Sequence, residues 1–359
     1  MKKNYWYNLP ERLIAQFPAH PRDSSKLLVY DTRNNSLIIK QFSELATSLP
    51  PSTTLTLNDA KVVPARVMMS KETGGKIEVL FLVNEWISLR DGPIPCFLDR
   101  KSRVGAKLYF KNKSFVTVIR QEEGLFFLSW EERAEDLLKN LDNYGTMPIP
   151  PYIKHSPLSR DQLMEKYQTI FAKNPGSSAA PTASLHFTPA VFKSLDDVGI
   201  KKQNITLHVG LGTFAPLTEE NMKRKTLHHE WYEISEEILR SFETSKYLGT
   251  KRRREKPDIT AVGTTVVRAL ESIALKAQSH KLKATSLRGS TDLFILPPFK
   301  FKVVDHLITN FHLPGSSLMM LVDAFLEHKK AQKRILELYM YAIEHDLRFY
   351  SFGDAMLIL

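Results

Sequence analysis

Near residue 150 the pattern of the chain changes, and that change limits its possible folds more than any other feature. Before it, apolar residues come in short β-branched or alternating runs, at 26–30, 37–40, 54–57, 76–83, 107–110, 115–119 and 125–130. Asp/Asn, Pro-Pro or Gly-Gly pairs interrupt them, the signature of strands joined by tight turns. The regular spacing from about 63 to 130 predicts a compact antiparallel sheet or small barrel. A helix is predicted over 132–141, and Met147-Pro-Ile-Pro-Pro-Tyr152 is rigid and extended, because proline blocks helix there. Beyond it strands alternate with helices: strands at 204–209, 259–262, 293–296 and 306–309, helices at 236–246, 266–278 and 316–345. Such alternation predicts a mainly parallel sheet covered by helices. The economical architecture is α/β, with residues 1–62 and 152–359 forming a large domain and 63–151 inserted into it as a small β-barrel.

Composition sets the outer limits. The 359 residues are 43% hydrophobic and 25% charged, ordinary for a globular chain long enough to bury a sizeable core. A single cysteine, Cys96, excludes an intramolecular disulfide and any cysteine-based zinc site. The N-terminal segment has no apolar core of a signal peptide, and no 18-residue apolar stretch occurs, so a protein of the cytoplasm is expected. The formal net charge of +11 favours a polyanionic partner. Residues 100–120 carry seven Lys/Arg and no acid, and Lys251-Arg-Arg-Arg254 adds a second cluster, so phosphate contact by at least one is expected.

Ligands of parallel sheets gather where strands end at their carboxyl edge. Four segments place polar residues there: Ala179–Phe187 with Thr182 and His186, His208–Phe214 with two glycines, Gly263-Thr264-Thr265 leading into a helix, and Thr309–Pro314 with His312. Glycine lets backbone approach a ligand closely, and a helix N-terminus suits an anion. Turn, cap and core roles account for the same residue types. His228-His229-Glu230 does not read as a metal site, since neighbours on a strand point to opposite faces, and no metal is expected. No phosphate-binding P-loop, dinucleotide-binding glycine motif or serine-hydrolase elbow is present.

Together these segments resemble the S-adenosylmethionine:tRNA ribosyltransferase-isomerase family of queuosine biosynthesis. The resemblance also runs through Leu57–Arg66, Gly74–Leu80, Met147–Ile153, Tyr167-Gln-Thr169, Thr206–Phe214, Ala261–Thr265 with Arg268 and Glu271-Ser272, and Arg348–Met356, in the family's order. It implies a large barrel-like α/β domain with an inserted small antiparallel β-barrel. It also implies transfer and isomerisation of the ribosyl part of S-adenosylmethionine onto 7-aminomethyl-7-deazaguanine at the tRNA wobble position. Epoxyqueuosine forms, and adenine and methionine leave. The partners implied are tRNA and S-adenosylmethionine, the latter consumed as substrate, with no cofactor and a monomeric enzyme. For proton transfer it nominates His186, His208 and His312, with His228 behind them, and Glu230 as the carboxylate for a ribose hydroxyl or the amine. For binding it nominates Lys61, Arg66, Thr182, Gly210, Gly212, Thr213, Phe214, Gly263, Thr264, Thr265, Arg268, Thr309 and Asn310. Ala60, Ser184, Lys225 and Pro298 depart from the family's usual residues; a Cβ at Ser184, where glycine is common, is expected to crowd a ligand or change the backbone angle. The competing expectation is a basic RNA-binding protein of this fold without catalysis. A methyltransferase is disfavoured, because the usual doubly wound methyltransferases carry a glycine-rich first loop.

Overall fold

The structure is a computed structural model and describes residues 5–89, 92–122, 124–210, 217–238, 257–278 and 288–359. Its strands, in chain order, begin with β1 (Lys26–Asp31), β2 (Ser36–Gln41), β3 (Thr54–Asn58) and β4 (Ala60–Val62). Next come β5 (Arg66–Lys71), β6 (Lys76–Phe81), β7 (Ile94–Leu98), β8 (Lys107–Tyr109), β9 (Phe115–Glu122), β10 (Leu125–Ser129) and β11 (Gly145–Thr146). The rest are β12 (Asn174–Ser177), β13 (Lys201–Leu207), β14 (Thr226–Ile234), β15 (Ile259–Val262), β16 (Arg288–Leu293), β17 (His306–Asn310) and β18 (Ala355–Ile358).

The chain is α/β, as expected, built on a sheet ordered β16-β14-β13-β3-β15-β17-β18-β1-β2. Its centre, β13-β3-β15-β17, is parallel, and β18 pairs parallel with β1. The contacts β1–β2, β13–β14, β14–β16 and β17–β18 are antiparallel. The sheet is therefore mixed rather than mainly parallel: hairpin-like returns at the flanks need no crossover helix, whereas the centre does. Central strands are buried on both faces, which explains their near-continuous apolar sequence. Leu28, Ala261, Leu307 and Ile358 enter one core, while Leu27, Leu55, Val262 and Ile308 enter the core on the opposite face.

Strands β5-β6-β7-β10-β9-β8 form the small barrel, closed by pairing of Ser70 and Lys71 in β5 with Tyr109 and Leu108 in β8. Alternation of buried and partly buried residues along β6 and β10 gives the barrel its own core, including Val79, Phe81, Leu108, Val116 and Leu128. The helix Val83–Leu89 replaces the end of the strand predicted over 76–83. The helix predicted over 132–141 is Ala134–Tyr144.

Three further expectations shift. The strand expected over 293–296 is Arg288–Leu293, pulled upstream by pairing with β14. The continuous helix expected over 316–345 is two helices, Ser317–His328 and Ile335–Glu344, broken near Lys330, whose φ is +55°. The helix expected over 236–246 extends mostly outside the described residues, as does Lys251–Arg254 entirely. No helix among the described residues is long and apolar enough to cross a membrane.

Candidate functional site

The parallel centre sends β3, β13, β15 and β17 out at the same edge. The residues that follow β13, β15 and β17 wall two adjoining clefts. The larger, about 600 Å³ counted out to its open mouth, is lined by Thr182, Gly263, Thr264, Thr265, Thr309, Asn310 and His312, together with Tyr152, Tyr350 and Ser351. The smaller, about 300 Å³, is lined by Gly210, Leu227, His228, Glu230, Arg268, Ser317 and Leu318. Leu318 lines both, so the clefts meet at the start of the helix Ser317–His328.

Gly263 makes the turn from β15 into the helix Thr264–Gln278. Its φ of +94° suits glycine, and its N–H donates to the Ile308 carbonyl at 2.8 Å. The helix thereby starts at the larger cleft with its positive end toward it. The Thr265 hydroxyl, buried there, has no hydrogen-bond partner among the described residues. Asn310 is oriented by three contacts. Its carbonyl oxygen accepts from the Thr182 hydroxyl at 2.8 Å, while its amide nitrogen faces the Asp354 carbonyl at 3.4 Å and His186 Nε2 at 3.3 Å. A carbonyl can only accept, so the amide nitrogen is the donor and His186 Nε2 must carry the lone pair. Its Nδ1–H then donates to Ser25 Oγ at 2.8 Å. His186 thus stands behind Asn310 rather than in the cleft wall. Burial, with Arg348 and Arg22 nearby, lowers its pKa to about 3 and keeps the ring neutral.

His312 does line the cleft. Its backbone N–H donates to the Tyr339 hydroxyl at 2.8 Å, and the same hydroxyl lies 3.1 Å from Nδ1. Having accepted the N–H, Tyr339 is free to donate its proton to Nδ1, which leaves Nε2–H for Thr309 Oγ1 at 3.2 Å. Burial lowers the His312 pKa to about 3 as well. Both histidines are neutral hydrogen-bonding groups near pH 7.

In the smaller cleft Glu230 forms a buried ion pair with Arg268 and accepts the Gly210 N–H at 3.1 Å. Arg268 Nε donates to the Leu293 carbonyl at 3.1 Å, and Nη2 has no hydrogen-bond partner among the described residues. Glu230 is the only carboxylate among the described lining residues of either cleft.

Other nominated residues lie elsewhere. His208 lines neither cleft; its ring packs on Gly176, where a Cβ would come within 2.9 Å, and burial lowers its pKa to about 4. Lys61 is exposed on β4, and Arg66 pairs with Glu78 on the barrel. Gly212, Thr213 and Phe214 lie outside the described residues. Glu271 holds the backbone N–H groups of Lys302, Val303 and Val304 at 2.8–3.0 Å, a structural role. No group of three or more potential metal ligands occurs among the described residues. Ser184 needs no glycine conformation: it lies in the 3₁₀ turn Thr182–Ser184, outside the positive-φ residues, fully buried. Crowding by its Cβ is therefore not accompanied by a left-handed backbone.

Sequence reasoning did not nominate Tyr152, Tyr350 or Ser351 for the site. Tyr152 and Tyr350 sit 4.7 Å apart between ring centroids, and the Tyr152 and Ser351 hydroxyls are 2.7 Å apart. Tyr350 adopts φ +70°, costly by about 1–3 kcal/mol for a bulky residue, and this turns its ring into the cleft wall. The signal was present in the motifs Pro150-Pro151-Tyr152 and Tyr350-Ser351, but nothing in the spacing brings these segments together.

A family model described as "Queuosine biosynthesis protein" matches residues 2–358. A curated protein of Carboxydothermus hydrogenoformans, named S-adenosylmethionine:tRNA ribosyltransferase-isomerase, is 41% identical over 360 residues, covering 99% of both chains. One of the same name from Gloeobacter violaceus is 42% identical, covering 99% of this chain and 95% of its own. The crystal structure of an S-adenosylmethionine tRNA ribosyltransferase from Thermotoga maritima matches over 99% of both chains, with a TM-score of 0.51 and 32% identity. Likeness that extends through the barrel, the sheet and both cleft walls leaves one placement: the chain belongs to the queuosine biosynthesis protein family.

Proposed function

We propose that this enzyme transfers and isomerises the ribosyl moiety of S-adenosylmethionine onto 7-aminomethyl-7-deazaguanine at the wobble position of tRNA. Epoxyqueuosine-tRNA, adenine and methionine are the products. The curated relatives' shared name supports the transferase-isomerase reading. The observation that carries it to this site is the pair of joined clefts, the larger walled by neutral donors and acceptors and the smaller by the buried Glu230–Arg268 ion pair, and entered by two helix N-termini.

The chemistry needs removal of a proton from the carbon beside the sulfonium, whose charge stabilises the carbanion. It also needs a hydrogen-bonded departing adenine and a neutral attacking amine. Asn310, Thr309 and His312 offer a heterocycle directional hydrogen bonds without a competing charge, and Tyr152 and Tyr350 offer it flat apolar faces. His186 acts through Asn310 as a positioning residue. The proposal includes no resident cofactor, a monomeric enzyme and a cytoplasmic setting where tRNA and S-adenosylmethionine meet. The exposed cations Arg100, Lys101, Arg103, Lys111, Lys113 and Arg120 on the barrel suit the RNA backbone.

The test is a product assay. The protein is incubated with S-adenosylmethionine and tRNA carrying the aminomethyl base, and free adenine and epoxyqueuosine are measured by mass spectrometry. Both products are expected in equal amounts. S-adenosylhomocysteine in their place means methyl transfer, and tRNA binding with no product means a binding protein that has lost catalysis.

A further inference from the structure

Arginine offers five N–H donors and does not lose its charge in proteins. Arg268, 4% exposed, uses Nε on the Leu293 carbonyl and Nη1 on Glu230, while Nη2, itself buried, has no hydrogen-bond partner among the described residues. A buried charged donor left unmade is costly, and such a group is kept where a ligand completes it. Arg268 lines the smaller cleft, and so do Ser317 and Leu318, the first residues of the 12-residue helix Ser317–His328. Among the described residues the backbone N–H of neither residue has a hydrogen-bond partner, so the positive end of that helix faces the same space. A guanidinium edge and a helix N-terminus, reached from different elements, both select an anion. The guanidinium fork matches the two oxygens of a carboxylate. Glu230 holds the guanidinium in place from the other side and leaves Nη2 for the ligand.

Resting on the reading of S-adenosylmethionine as substrate, we propose that the smaller cleft is the subsite for the α-carboxylate of its methionyl part, held by Arg268 Nη2 and the start of the helix Ser317–His328. The adenosyl part then occupies the larger cleft, with the chain of the donor passing Leu318, where the clefts join.

The test compares S-adenosylmethionine with its decarboxylated form, which keeps the sulfonium, ribose and adenine. Dissociation constants are measured by titration calorimetry, with and without tRNA bearing unmodified guanine so that no turnover occurs. The unmodified protein is expected to prefer the carboxylate-bearing ligand by about tenfold or more. Arg268→Gln combined with Glu230→Gln, which removes both charges and leaves neither buried alone, is expected to bind both ligands within about twofold. Equal binding by the unmodified protein overturns the subsite while leaving the substrate reading intact. No binding of either ligand under both conditions overturns the substrate reading instead. If the folded double variant keeps its preference and Thr265→Val loses it, the carboxylate sits at the helix Thr264–Gln278 and the proposal fails.

Discussion

The barrel and the carboxyl edge of the large sheet both bury apolar side chains fully but differ in how many polar and charged ones they bury. Within 63–151 the buried polar residues among those described are Asn84 and Asn140. Both are partnered, Asn140 with Asn112 and Ser114, and Asn84 with Ser178, while the hydroxyl of the half-buried Ser102 is buried without a partner among the described residues. The sheet edge buries His186, Glu230, Thr264, Thr265, Arg268, Thr309, Asn310 and His312, and leaves Thr265 Oγ1 and Arg268 Nη2 without partners among the described residues. An unmet donor on a buried charge costs far more stability than an unmet hydroxyl, so the edge that keeps Arg268 Nη2 is shaped for something besides folding. The barrel's polar side is instead its exposed basic surface.

The widest gap between the two regions should appear on breaking an ion pair in each. Glu230→Ala leaves Arg268 buried and unpaired and should cost about 3–5 kcal/mol in urea unfolding. Arg66→Ala breaks a pair whose partners are each about a third exposed and should cost less than ~1 kcal/mol. Similar losses would erase the contrast.

Acid sharpens it next. His186 and His312 have folded pKa values depressed to about 3 from 6.5, so the unfolded chain takes up protons first as pH falls. Their stabilising contribution is complete above about pH 6.5 and is lost progressively toward pH 3, on the order of 2 kcal/mol for each between pH 7 and 5. The segment 63–151 contains no histidine and lacks this loss. Hydrogen exchange at pH 5 should show the large domain weakened and the barrel amides still protected; uniform weakening would contradict the assignment.

Within the edge itself the two histidines should separate. His312→Ala, in the cleft wall, should lower turnover by about a hundredfold or more, and His186→Ala, behind Asn310, by roughly tenfold, with tRNA affinity within about twofold in both. Small, equal effects on turnover and affinity would remove both from the mechanism. The smallest effect has a distinctive sign: Thr265→Val deletes an unpartnered buried hydroxyl, so stability should hold or rise by up to ~1 kcal/mol while S-adenosylmethionine binding weakens severalfold. A loss of stability would mean the hydroxyl is satisfied in the free protein.

Much of this was legible from residues alone. Alternation at 76–81 and 125–129 announced barrel strands because period two is a local property. Gly263-Thr264-Thr265 announced a strand-to-helix turn for the same reason. The break near Lys330 escaped notice because the polar stretch 327–334 between the helices contains neither glycine nor proline to mark a stop. The antiparallel flanks escaped because pairing direction is set by partners distant in sequence.

The sequence by itself determined the kinds of elements, the α/β class with its inserted barrel, and the runs that mark the family. Only the tertiary structure decided what each nominated group does, because burial and partners are long-range. His186 meets an asparagine 124 residues away and becomes a support, while His312 meets Tyr339 and stays in the wall. His208 is drawn onto Gly176, away from both clefts. Arg268 meets Glu230 across 38 residues and keeps one buried amino group of its guanidinium without a hydrogen-bond partner among the described residues, a condition that no spacing in the chain encodes.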